Sequence, residues 1–74
     1  MNNEIQQQLG AKIRELRTKK GLSQEDFAFE CKLHRSHLGE IERGEANVTL
    51  STLLTIAHAL GTSIASLFKG IPGT

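Results

Sequence analysis

The sequence predicts an all-α fold of five helices, and three observations carry that reading. Apolar residues recur at helical spacing, with Ile5, Leu9, Ile13 and Leu16 falling at i, i+4, i+8 and i+11. Start and stop residues bracket the apolar runs: Ser23, Thr49 and Ser63 stand ahead of them, and Gly21, Gly44, Gly61 and Gly70 stand behind. No stretch alternates in the period-two, β-branched manner that a strand requires.

The first helix carries the Ile5–Leu16 stripe, places Lys19 and Lys20 at its negative carboxyl end, and stops at Gly21. Gly10 inside it costs about 1 kcal/mol against alanine, which argues for a close neighbour at that point. Ser23 caps a short second helix, Gln24 to Cys31. Asp26 stands as a capping-box partner, Leu22 and Phe27 form a hydrophobic staple, and Phe27, Ala28 and Cys31 face inward. Lys32-Leu33-His34 leaves room only for a tight turn. A third helix runs from Arg35 to about Arg43, with Leu38 and Ile41 inward and Gly44 as its stop. Glu45–Val48 is a connector. Thr49 caps a fourth helix, Leu50 to Leu60, ended by Gly61. Ser63 caps a last one, Ile64 to Lys69, and Gly70, Pro72 and Gly73 rule out any helix beyond it.

At 74 residues the chain is read as a single domain over 1–74, with a core of about 5–70 and a tail at 71–74. Three phenylalanines without tryptophan or tyrosine leave the core mostly aliphatic, and so small a core is marginal on its own. A lone cysteine, Cys31, forms no internal disulfide and gives no sign of an oxidising compartment. No apolar run reaches the roughly 20 residues that cross a bilayer, and the polar start MNNEIQQQ is no signal peptide. A cytoplasmic protein without a membrane partner is expected.

Charge is distributed unevenly. Eight of the nine basic residues lie between Lys12 and Arg43, and from Ala46 onward Lys69 is the only charged side chain. The first part suits a polyanion and the second suits another protein surface. Two short helices joined by a three-residue turn have the form of a helix-turn-helix. In that motif the first helix crosses the DNA backbone and the second enters the major groove by its amino end. Ala28, Leu33, Leu38 and Ile41 supply the apolar crossing. Arg35, Ser36, Gly39, Glu40 and Arg43 occupy the other face of the third helix, where side chains can reach base edges and phosphates.

The runs GLSQEDFA, HRSHLGEIERGE, NVTLSTLLTIAHALG and SIASLFKG resemble the Xre/Cro–phage-repressor family of DNA-binding domains, over roughly Leu9 to Gly70. Among its members the chain looks most like the controller proteins of restriction–modification systems. The resemblance implies a lambda-repressor-like fold. It assigns base reading to Arg35, Ser36 and Glu40, with arginine suited to guanine and glutamate to the cytosine amino group. It assigns phosphate contacts to Gln24, His37, Arg43 and Asn47, with Gln24 also bracing the recognition helix. It further implies an ion pair, Arg17–Glu42, tying the first helix to the third. The sequence departs from the family pattern at Lys32, where glycine is usual and positive φ is needed, at His34, a poor N-cap, and at Ala46, where a basic residue is common.

The apolar surface of the last two helices (Leu54, Ile64, Leu67, Phe68, Ile71) exceeds what a small core takes up. It suits an isologous homodimer with recognition helices about 34 Å apart. The expected function is a homodimeric transcriptional regulator on a pseudo-palindromic operator, with double-stranded DNA and a second copy as partners and RNA polymerase as a further candidate contact. An alternative from another class is an antitoxin-type module that binds a toxin and autoregulates its operon. No enzyme is expected, since paired carboxylates, an activated nucleophile and a phosphate-binding glycine loop are all missing. No cofactor, small-molecule ligand or metal is expected either. Cys31, His34 and His37 have a tempting spacing, but zinc needs four convergent ligands and Cys31 falls on the core face.

Overall fold

The computed structural model describes residues 3–74, so Met1 and Asn2 of the polar start lie outside the described residues. The chain forms five helices, α1 (Asn3–Lys19), α2 (Gln24–Cys31), α3 (Arg35–Glu42), α4 (Leu50–Leu60) and α5 (Ile64–Phe68), with no strand among the described residues. Three of them begin on a hydroxyl. Ser23 accepts from the Asp26 amide at 3.0 Å, Thr49 from Thr52 at 3.1 Å and Ser63 from Ser66 at 3.0 Å. Each satisfies one of the amides that a helix start leaves without a partner. At Ser23 only the serine half of the capping box forms. The Asp26 carboxylate makes no return bond and stays exposed.

The turn into α3 carries the strain and the missing cap that the sequence leads one to expect. Lys32 closes α2 in the left-handed region at φ 57°, with the Leu33 amide reaching back to the Ala28 carbonyl at 2.8 Å. A non-glycine residue in that region costs of order 1 kcal/mol, and here it is what turns the chain sharply enough to start α3. His34 opens α3 without a side-chain cap, and Arg43 and Lys69 lie just outside α3 and α5 as caps rather than as last turns.

Phe27, Ile13, Leu38, Ile41, Ile56 and Leu67 form the fully buried centre, drawn from all five helices. The α1 helix lies against α3, α4 and α5, and α2 against α3 and α4, so the helix-turn-helix is held from behind by the first and last thirds of the chain. Cys31 is buried in this core. Burial, reinforced by the neighbouring Glu30 carboxylate, pushes its thiol from 9.0 up to about 11, which leaves it unreactive at neutral pH.

The residues at 71–74, expected to trail off, fold back instead. Ile71 is buried, and the Thr74 hydroxyl donates to the Ile71 carbonyl at 2.7 Å. Leu67 and Ile71, expected on a dimer face, are therefore corrected: at 0% and 7% exposure both are spent inside the protomer. An apolar residue reports that something covers it, and here the cover is the protomer's own core.

Gly10 is where α1 touches α3. A Cβ added there would lie 2.6 Å from the Glu42 carbonyl oxygen and 2.8 Å from its carbon. Alanine in a helix ordinarily gains about 1 kcal/mol over glycine. Gly10→Ala is expected to reverse that sign and destabilise by about 1–3 kcal/mol, because α1 must back away from a rigid backbone. A rise in the thermal midpoint of the variant would show that the two helices have room to spare.

Candidate nucleic-acid interface

The carboxyl end of α3 is held rigidly to the body of the protein by four residues. Arg17 donates through Nε to Glu42 at 2.7 Å and through Nη2 at 3.1 Å. Gln24 Nε2 donates to the same carboxylate at 2.9 Å, and Arg17 Nη1 reaches the Leu22 carbonyl at 2.7 Å. One carboxylate at the end of α3 thus gathers α1, the loop before α2 and the start of α2. The Arg17 and Glu42 side chains are only 8% and 2% exposed, so the charges are satisfied by each other rather than by water.

The opposite face of α3 is open. Arg35, Ser36 and Glu40 are exposed along it, as are Arg43 at its end and Asn47 on the loop beyond, while His37 and Gln24 are half-buried beside them. Residues 35, 36, 39, 40 and 43 share one face by helical geometry. The buried Gly39 lies beneath two of the longer side chains: a Cβ there would meet Arg43 Nη1 at 3.0 Å and Gln24 Oε1 at 3.8 Å. Arg43 thus folds back across the outer surface of α3. The Glu45 carboxylate holds it at 3.1 Å and raises its already high pKa, with a smaller contribution from Glu40. Glu40 itself lies 3.7 Å from His37 Nδ1, one turn back on the helix.

Sequence reasoning misses the elements that fix the loop after α3. Gly44 has φ 75°, and a Cβ on it would lie 2.6 Å from the Gln7 Cα, so only glycine allows this loop to sit against α1. Gln6 Nε2 donates to the Ala46 carbonyl at 3.3 Å and to Asn47 Oδ1. Nor does any pattern in the sequence mark Glu45 as the partner of Arg43. Among the described residues no group of three or more His, Cys, Asp or Glu side chains is placed to hold a metal ion. None of their helices is long and apolar enough to cross a membrane.

A braced helix with an open polar face, set behind a crossing helix, defines a helix-turn-helix regulator. A family model described as helix-turn-helix matches residues 13–67. Control protein C.BamHI of Bacillus amyloliquefaciens is 47% identical over 62 residues, which cover 82% of this chain and 76% of that protein. The crystal structure of the restriction–modification controller protein C.AhdI from Aeromonas hydrophila superposes with a TM-score of 0.81 at 48% identity, covering 84% of this chain and 94% of that one. The biofilm regulator SinR, solved in complex with DNA, aligns with a TM-score of 0.77 at 28% identity over 81% of this chain and 97% of its own. The chain belongs to the helix-turn-helix family of DNA-binding transcriptional regulators, with restriction–modification control proteins among its relatives.

Proposed function

We propose that two copies of the protein bind a pseudo-palindromic operator, each laying the amino end of α3 into the major groove of one half-site. The observation that carries this is the open face of α3, with Arg35 and Ser36 exposed at its first turn and Glu42 braced from behind at its last. Arg35 reads a guanine edge, and Glu40 takes a cytosine amino group, the one arrangement in which a carboxylate is tolerated so near the phosphates. Ser36 supplies a shorter donor or acceptor beside them. Gln24 keeps one amide hydrogen beyond its bond to Glu42 and offers it to a phosphate, with His37 and Asn47 flanking. Arg43 joins them after Glu45 releases it, a carboxylate exchanged for a phosphate at similar range.

Size argues for the pair. One protomer measures 31 × 22 × 20 Å and carries one recognition helix, whereas successive major grooves on one side of DNA are about 34 Å apart. The second copy docks on the apolar surface left by α4 and α5, now reduced to Leu54, Ile64 and Phe68. Likeness to C.BamHI and C.AhdI supports a role in restriction–modification control, which adjacent methyltransferase and endonuclease genes would corroborate.

Selection of binding sites from a random duplex pool tests the whole reading, and Arg35→Ala tests its centre. The variant is expected to lose about 1–3 kcal/mol on the selected operator and to relax preference at one base pair in each half-site. A mixed-sequence duplex should be bound nearly as before. Equal weakening on every sequence would demote Arg35 to a phosphate contact.

A further inference from the structure

We propose that Gln6, on the first turns of α1, is a positioning residue for the DNA interface: its amide fixes Asn47 as a hydrogen-bond donor. The proposal rests on the reading of Asn47 as a phosphate contact. A phosphate oxygen at neutral pH only accepts. An asparagine amide offers an acceptor on one side and two donors on the other, and rotation about its last bond presents either.

The bonding around Gln6 removes that ambiguity. The Ala46 backbone carbonyl can only accept, so the Gln6 group that meets it at 3.3 Å is Nε2. The same nitrogen faces the Asn47 side chain, which must therefore turn Oδ1 toward it. The amide nitrogen of Asn47 is left for an outside acceptor, on an exposed residue just past the recognition helix.

Gln6 is itself well placed to hold a fixed pose. It is half-buried in the wall of an apolar groove, between Ile5 and Leu9 of its own helix and near Phe68 of α5. The loop it grips cannot drift, because Gly44 rests on the backbone of Gln7 and Val48 packs against the core. One side chain some forty residues away in sequence thus pins both backbone and side chain of the loop, and sets the polarity it shows to DNA.

A double-mutant cycle between Gln6→Met and Asn47→Ala tests this. Methionine keeps the length and the apolar packing of glutamine without its hydrogen bonds. Gln6→Asn, an amide one methylene too short to reach the loop, serves as a second variant in the same cycle. Binding is followed by fluorescence anisotropy at two salt concentrations, on a duplex selected from a random pool and on a mixed-sequence duplex of equal length. Thermal unfolding confirms that each variant is folded.

Gln6→Met and Gln6→Asn are each expected to weaken both duplexes by about 3- to 10-fold. The dependence on salt should stay unchanged, since a neutral amide releases no counterion. Asn47→Ala should weaken them similarly, and adding either Gln6 change to it should cost less than about twofold more. If Asn47→Ala weakens binding while the Gln6 variants do not, or if they cost as much without Asn47 as with it, Gln6 does not act through Asn47. If Asn47→Ala leaves both duplexes unaffected, the phosphate role of Asn47 is wrong and the positioning role falls with it.

Discussion

Alanine at Glu42 is expected to lower the stability of the protein by about 3–5 kcal/mol, the largest loss from any single substitution at the interface. The cost lies less in the pair removed than in what is left behind. Arg17 would remain with an 8% exposed side chain and a full charge, its partners reduced to the Leu22 carbonyl, and Gln24 Nε2 would lose the bond that ties α2 to α3. A chain of 74 residues has roughly 4–11 kcal/mol of stability in all, so the loss removes about a quarter of it at the least and all of it at the low end of that range. Urea denaturation followed by helical circular dichroism reads the loss directly. Arg17→Met combined with Glu42→Leu should fold better than Glu42→Ala alone, because no charge is stranded, yet bind DNA more weakly because Gln24 has lost its brace. A loss below about 1 kcal/mol for Glu42→Ala would mean that water reaches the network and the arginine was never dependent on it.

The contrast between that network and the loop beyond it explains how much was legible from the sequence. The α4 helix could be read to the residue because its signals are local: Thr49 accepts from an amide three positions on, and Gly61 ends the helix in the left-handed region at φ 72°. The strain at Lys32 and the missing cap at His34 were readable for the same reason, since a tight turn fixes what backbone each position must adopt. Arg35, Ser36 and Glu40 could be placed on one face from helical period alone, and the structure leaves that face open. Apolar character did less well at Leu67 and Ile71, because it shows that a residue is covered and not by what. Polar contacts across the fold leave still less trace. Nothing in the spacing of Gln6 and Asn47, or of Gln7 and Gly44, marks them as neighbours; they meet only because Gly10 lets α1 settle onto the end of α3.

With two copies paired on an operator as proposed, glutamate at Leu54 is expected to separate them and abolish the tight binding of a palindromic site. Leu54 is 54% exposed on α4, next to an end of the chain where Lys69 is the only charged side chain after Glu45. Across an isologous interface the substitution appears twice, so each new carboxylate is desolvated and placed near its own copy. Because Leu54 is absent from the buried core, the protomer keeps its helices, and a single half-site duplex should be bound as before. On the proposed pairing, the palindromic duplex would gain its affinity from the second protomer being delivered at high effective concentration, and losing that delivery is expected to cost about 100-fold or more. Sedimentation of parent and variant at the same concentrations, beside binding to one-site and two-site duplexes, separates the two effects. A variant that sediments as the parent does, or that binds the two-site duplex undiminished, would place the contact between subunits elsewhere on the protomer.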